Sequence, residues 1–127
     1  MGLDMRSMTR TVLFVCPHGA GKSRMAAAYL NRVAPDGWSA TSAGLEPDPV
    51  VSQNAVRLLA GGDADAFLDL DVPRAVDAVS AVDRVIAIDC DVAGAERWDL
   101  ASGTFDEAMR EEIRGRVERL ADKLSGS

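Results

Sequence analysis

The chain has 127 residues, 47% of them hydrophobic and 27% charged, which suits a globular domain with one core and is too short for two. Its net charge of −6 argues against general binding to nucleic acid or an anionic membrane, although backbone amides can still hold a small anion locally. Two cysteines and one histidine are too few for a disulfide scaffold or a zinc site, so neither metal nor cofactor is expected.

Residues 1–9 are methionine-rich and aperiodic and read as a flexible leader, which leaves residues 10–127 as a single domain. No charged, apolar and small-residue signal opens the chain, and its apolar runs are strand-length, so a cytoplasmic protein without a membrane span is expected. Residues 11–15 are β-branched or apolar and predict a buried strand. Met25, Ala26, Tyr29, Leu30 and Val33 recur at helical spacing, and Pro35-Asp36-Gly37 ends that helix. A second strand is expected over 38–43 and a second helix over 50–59, stopped by Gly61-Gly62. Asp71-Val72-Pro73 opens a short helical or irregular piece, and residues 84–88 read as another buried strand. Thr104 and Glu107 have the spacing of a capping box before a long last helix striped by Met109, Ile113, Val117, Leu120 and Leu124. Strands alternating with helices predict a small α/β sandwich on a parallel sheet, with the ligand site at the carboxyl ends of the strands, where Cys16 and Asp89 fall.

The chemistry concentrates in the turn after the first strand, Cys16-Pro17-His18-Gly19-Ala20-Gly21-Lys22-Ser23. A turn from a buried strand into a helix gathers unpaired N–H groups, and the helix dipole adds about half a positive charge. Such a loop is expected to hold phosphate or a related oxyanion and to favour Cys16 as a nucleophilic thiolate. Lys22 would neutralise charge and Ser23 would hydrogen-bond, while Gly19 and Gly21 relax the turn. His18 is as readily a solvent-facing loop residue as a part of the anion site. Gly21-Lys22-Ser23 also ends a nucleotide-binding P-loop, and residues 85–89 imitate an apolar strand ending in a magnesium-binding aspartate. Against that reading, Cys16 stands where the first glycine belongs and Pro17 removes a donor.

The loop with its flanks resembles the low-molecular-weight protein tyrosine phosphatases and the thioredoxin-coupled arsenate reductases that share their fold. Their pattern is a strand, then C-x-G-N-x-C-R-S, then a helix beginning x-M-A-E; here Cys16, Ser23 and Met25-Ala26 match, as does Ser42-Ala43-Gly44 after the second strand. Trp98-Asp99-Leu100 and the last helix extend the likeness over residues 11–124. The resemblance implies a three-layer α/β sandwich with a small parallel sheet. It also implies hydrolysis of phosphate monoesters, protein tyrosyl phosphate among them, through a Cys16 phospho-intermediate.

Four positions depart from the pattern: His18 for glycine, Gly19 for asparagine, Gly21 for cysteine and Lys22 for arginine. Lysine is a point charge without the guanidinium fork, so turnover is threatened more than binding. No Asp-Pro precedes the last helix; alignment on Gly103 and Phe105 makes Asp99 the general acid, whereas alignment on Trp98 places Ser102 and Gly103 there. Cys90 stands near the second redox cysteine of the reductases, and the alternatives for it are packing or a disulfide with Cys16. A phosphoprotein substrate and a thioredoxin-type reductant are the partners implied. A non-catalytic oxyanion-binding or redox-sensing module and an arsenate reductase are the other functions the pattern allows, beside the nucleotide binder.

Overall fold

A computed structural model describes residues 10–101 and 103–125; the leader expected over residues 1–9 lies outside them, as does Ser102. Four strands, β1 (Arg10–Cys16), β2 (Trp38–Gly44), β3 (Arg84–Ile88) and β4 (Glu96–Trp98), form one sheet in the order β2-β1-β3-β4, with every neighbouring pair parallel. Three helices, α1 (Lys22–Val33), α2 (Gln53–Leu59) and α3 (Glu107–Ser125), complete the expected α/β architecture. Among the described residues no helix is long and apolar enough to cross a membrane.

Alternation along β1 divides the core. Val12, Phe14 and Cys16 face the helices, where they meet Met25, Leu30, Ile113, Val117 and Trp98. Leu13 and Val15 face the other way, packing with Ala43, Ala87 and Cys90 beneath Val76, Val79 and Val82. That second face is covered by the irregular segment expected after Asp71, which contains a single 3-10 turn at Val76–Ala78. Its Ala75 makes an isolated parallel bridge to Gly44. The stripe expected on the last helix is buried as a whole, from Met109 to Leu124.

Three local expectations need correction. Helix α2 begins at Gln53, not at 50: Ser52 is extended, accepts from the Ala55 amide and thereby caps the helix, leaving Val50 exposed before it. The last helix begins at Glu107 itself, later than a capping box on Thr104 would place it, and the Asp106 carboxylate accepts from the Met109 amide at 3.1 Å. The three-residue strand β4 was not expected, since an element that short gives little periodicity to read.

Because β2 and β3 flank β1 on opposite sides, their connections leave the sheet in opposite directions and a crevice opens at the C-terminal end of β1. The turn that follows β1 crosses this crevice against the end of β2. Gly19 there has φ +64°, and a Cβ on it would stand 2.6 Å from the Gly44 amide nitrogen; a Cβ on Gly44 would stand 2.5 Å from the Gly19 nitrogen. The two glycines thus face each other bare, backbone on backbone, which gives Gly44 of the Ser42-Ala43-Gly44 block its physical reason. Gly44→Ala is expected to destabilise the protein by about 3 kcal/mol, measured by denaturant unfolding, because neither backbone can retreat.

Candidate active site

Consecutive carbonyls of the loop from Cys16 to Gly21 each accept a hydrogen bond from a donor outside the loop. The Leu45 amide donates to Cys16 O at 3.3 Å, Glu46 to Pro17 O at 2.9 Å, Asp48 to His18 O at 3.1 Å and Ser52 to Ala20 O at 2.8 Å. Arg24 Nε donates to Gly19 O at 2.9 Å, and the Met25 amide closes the first turn of α1 on Gly21 O at 2.9 Å. With the carbonyls drawn outward, the amides of residues 18–23 are left without an acceptor among the described residues. Helix α1 adds its N-terminal dipole, and no acidic residue in its first turn offsets that field. A set of N–H donors of this kind is suited to cradle an oxyanion.

Cys16 lies at the floor of the cradle, 3% exposed, with its Sγ 3.1 Å from Ser23 Oγ. A cleft of about 370 Å³ opens above it, lined by Cys16, Pro17, His18, Ala20, Gly21, Lys22, Asp48, Ser52 and Phe105. The Phe105 ring packs on the bare face of Gly21, giving the cleft one aromatic wall. At the rim His18 Nδ1 stands 3.2 Å from Glu46 O and 3.5 Å from Asp48 Oδ1.

Lys22 does not hang free in the cleft. Its Nζ donates to Asp89 Oδ2 at 2.8 Å, while Asp89 Oδ1 accepts from the Leu100 amide at 2.9 Å. Asp89 holds this position with φ +55°, at the turn leaving β3. Burial pulls its carboxyl upward, but the hydrogen bonds from Lys22 and Leu100 outweigh it and set the group below the usual carboxylate range.

Behind the loop a polar network is buried. The side chain of Arg24 is fully enclosed, and besides Gly19 O its Nη1 donates to Asp69 O; its Nη2 has no hydrogen-bond partner among the described residues. Burial lowers its guanidinium below the ordinary arginine value, against the opposing pull of Asp69. Arg74 links the same Asp69 carboxylate, at 2.6 Å, to Ser42 O, at 2.9 Å, and its own carbonyl accepts from the Gly44 amide at 2.9 Å. Burial pushes the Asp69 carboxyl up, yet Arg74 and the Asp71 amide prevail and hold it low. The loop, α1, β2 and the segment before Ala75 are thereby fastened at one place.

A solved arsenate reductase from Archaeoglobus fulgidus shares 32% identity with this chain over 87% of it and 98% of that chain, with a TM-score of 0.71. The chain belongs to the low-molecular-weight protein tyrosine phosphatase and arsenate reductase family. A thioredoxin-dependent arsenate reductase from Corynebacterium glutamicum is 25% identical, covering 94% of this chain and 63% of that one, with a TM-score of 0.72. A low-molecular-weight protein tyrosine phosphatase from T. tengcongensis, 19% identical over 91% of this chain and all of its own (100%), shares the fold at a TM-score of 0.69. No protein-family model matches the sequence.

Of the residues singled out in the sequence, the structure places Cys16, Pro17, His18, Ala20, Gly21 and Lys22 along one cleft, with Ser23 Oγ against Cys16 Sγ. It does not bring Asp99 there. That carboxylate accepts from Arg97 Nε at 2.6 Å, and its side chain is 68% exposed, outside the cleft. Cys90 is buried on the opposite face of the sheet from Cys16, hydrogen-bonded to Val15 O at 3.6 Å, and both thiols are free. Burial, then the nearby Cys16, raises the Cys90 thiol above its usual range. Among the described residues no group of three or more metal-ligating side chains stands together.

Several residues at the site carried too little sequence signal to be singled out: Arg24, Asp69, Arg74, Asp48 and Phe105. The pair Pro47 and Pro49 around Asp48 was the one available hint, since flanking prolines hold a residue in extended chain.

Two predictions follow from the geometry. Arg24→Met leaves Gly19 O without its donor and is expected to cost about 2–4 kcal/mol in denaturant unfolding while loosening the cradle. Asp69, Asp89 and Glu96 all have lowered carboxyl pKa values, so the unfolded chain binds more protons than the folded one in acid. The stability they contribute is present above the unfolded carboxylate range and is lost as pH falls below about 4. Urea midpoints measured from pH 7 downward check this, and Asp89→Asn is expected to flatten part of the decline.

Proposed function

We propose that this protein hydrolyses phosphate monoesters through Cys16, with aryl phosphates, protein tyrosyl phosphate among them, as the substrate class. The observation that carries the reading is the placement of Cys16 Sγ, bonded to Ser23 Oγ at 3.1 Å, beneath a loop whose amides converge. Cys16 sulfur attacks phosphorus in line, the amides of residues 18–23 hold the non-bridging oxygens, and the Ser23 hydroxyl donates to the sulfur. Lys22 supplies the positive charge, shared with Asp89. Phe105 and Pro17 give the cleft apolar walls that suit an aromatic leaving group.

Arsenate reduction is the second reading, supported by the 32% identity to the Archaeoglobus fulgidus arsenate reductase. The same cradle suits arsenate, and a thioredoxin-type reductant would be the partner. A relay of thiols through Cys90 is disfavoured by its burial on the other face of the sheet. Arsenate-dependent consumption of reduced thioredoxin by the wild type, lost in Cys16→Ser, would favour reduction over hydrolysis, and its persistence in Cys90→Ser would confirm that no relay through Cys90 is used.

The test is turnover of an activated aryl phosphate by purified protein. Cys16→Ser is expected to abolish it, and phosphate or vanadate to protect Cys16 from alkylation. Lys22→Arg restores a forked donor and is expected to raise kcat by about tenfold or more, a part of the about 100- to 1,000-fold that one oxyanion-hole donor supplies. Turnover unaffected by Cys16→Ser would defeat the mechanism; protection by phosphate without any turnover would leave an oxyanion-binding module.

A further inference from the structure

Phosphoryl transfer to Cys16 needs a proton for the departing oxygen, and the site geometry leaves Asp99 outside the cleft, engaged by Arg97. We propose that His18 is the general acid–base of the reaction, acting through Nε2, with Asp48 as its positioning residue. The proposal rests on the phosphatase reading above and deepens it.

The polar side chains lining the cleft leave few alternatives. Lys22 is committed to Asp89, and Ser52 Oγ caps α2 by accepting from the Ala55 amide. His18 and Asp48 remain, a contacting, partly exposed pair that lines the same cleft as Cys16. Their relation is fixed twice. The Asp48 amide donates to His18 O at 3.1 Å, and the imidazole Nδ1 stands 3.2 Å from Glu46 O and 3.5 Å from Asp48 Oδ1. Both of those oxygens can only accept from the ring, so Nδ1 carries the hydrogen and Nε2 is the nitrogen free to exchange a proton. A carboxylate orienting an imidazole through Nδ1 is the arrangement that acid–base catalysis by histidine uses on many scaffolds.

In the first step the bond between Cys16 sulfur and phosphorus forms as the bond to the leaving oxygen breaks. The electron pair of the broken bond stays on that oxygen, which takes the proton from the imidazolium Nε2. In the second step water attacks the phosphocysteine, Nε2 accepts the water's proton, and the phosphorus–sulfur bond breaks with its electrons returning to sulfur. Inorganic phosphate leaves and both groups are restored, with no oxidant or reductant involved.

A general acid is needed in proportion to the basicity of the leaving group, and that dependence is the test. For wild type, His18→Gln and Asp48→Asn, kcat/KM is measured on 2,4-dinitrophenyl phosphate, 4-nitrophenyl phosphate and phenyl phosphate, with Cys16→Ser as control. His18→Gln is expected to lose about 100-fold on phenyl phosphate and to remain close to wild type on the dinitrophenyl ester. Asp48→Asn should fall between, with the same trend. Vanadate protection of Cys16 in each variant reports an intact cradle. Equal losses on all three esters, or none, with Cys16-dependent turnover intact, overturn the role of His18 alone. Absence of Cys16-dependent turnover on every ester overturns the phosphatase reading and this proposal together.

Discussion

The site depends on the orientation of one stretch of peptide planes. An anion can be held by backbone alone only if the N–H groups point at it, and a peptide plane that turns its N–H inward must turn its carbonyl outward. Each outward carbonyl then needs a donor, or the arrangement costs a buried unsatisfied acceptor. The segment from Leu45 to Ser52 supplies four such donors in sequence order, and α1 supplies the other two through Arg24 and Met25. The second loop is therefore the outer layer of the cradle, and its backbone matters there as much as its side chains.

That layering explains why the loop sits where it does on the sheet. For Leu45 to follow Cys16 in hydrogen-bonding register, the end of β2 must lie against the loop without side chains between them, which the facing glycines allow. Arg24 then approaches from inside α1 and braces Gly19 O, while Asp69 and Arg74 carry the connection back to β2. A buried arginine is expensive to desolvate, and its retention here makes sense as a fastening of four chain segments more than as a source of stability. None of the three side chains lines the cleft, so the cluster can brace the loop without occupying it.

The parts of this design that repeat along the chain were legible in the sequence. Strand β1, helix α1 and the apolar stripe of α3 announce themselves by composition and period, and the glycine-bearing turn between strand and helix marks where the cleft forms. What was not legible depends on pairings across large separations. Arg24 reads as an ordinary helix residue until Asp69 and Gly19 O meet it. Asp99 sits near the expected position for an acid, yet Arg97, two residues before it, takes its carboxylate. Cys16 ends β1 and Cys90 lies two residues past β3 in the same sheet, and only strand register and the turn after β3 decide that they face opposite sides. Spacing predicts which residues share a face within an element and says little about which face a turn residue adopts.

The lysine in place of arginine is best understood through its partner. A guanidinium brings its own geometry, two parallel donors in a plane, whereas an ammonium has to be told where to stand. Here Asp89 does that: one carboxylate oxygen holds Nζ, and the other is fixed by the Leu100 amide, so the position of the charge is set jointly by the end of β3 and the segment after β4. The arrangement costs field strength, because the carboxylate that orients the cation also cancels much of its charge at a distance. Near contact the cancellation is less complete, and ground-state holding of an anion falls mainly to the amides and the helix dipole, which are unchanged by the substitution. On the proposed reading, the consequence is a loop well built to bind and modestly built to stabilise the extra charge separation of a transition state, which would place the greater demand of turnover on whatever delivers the proton to the leaving group.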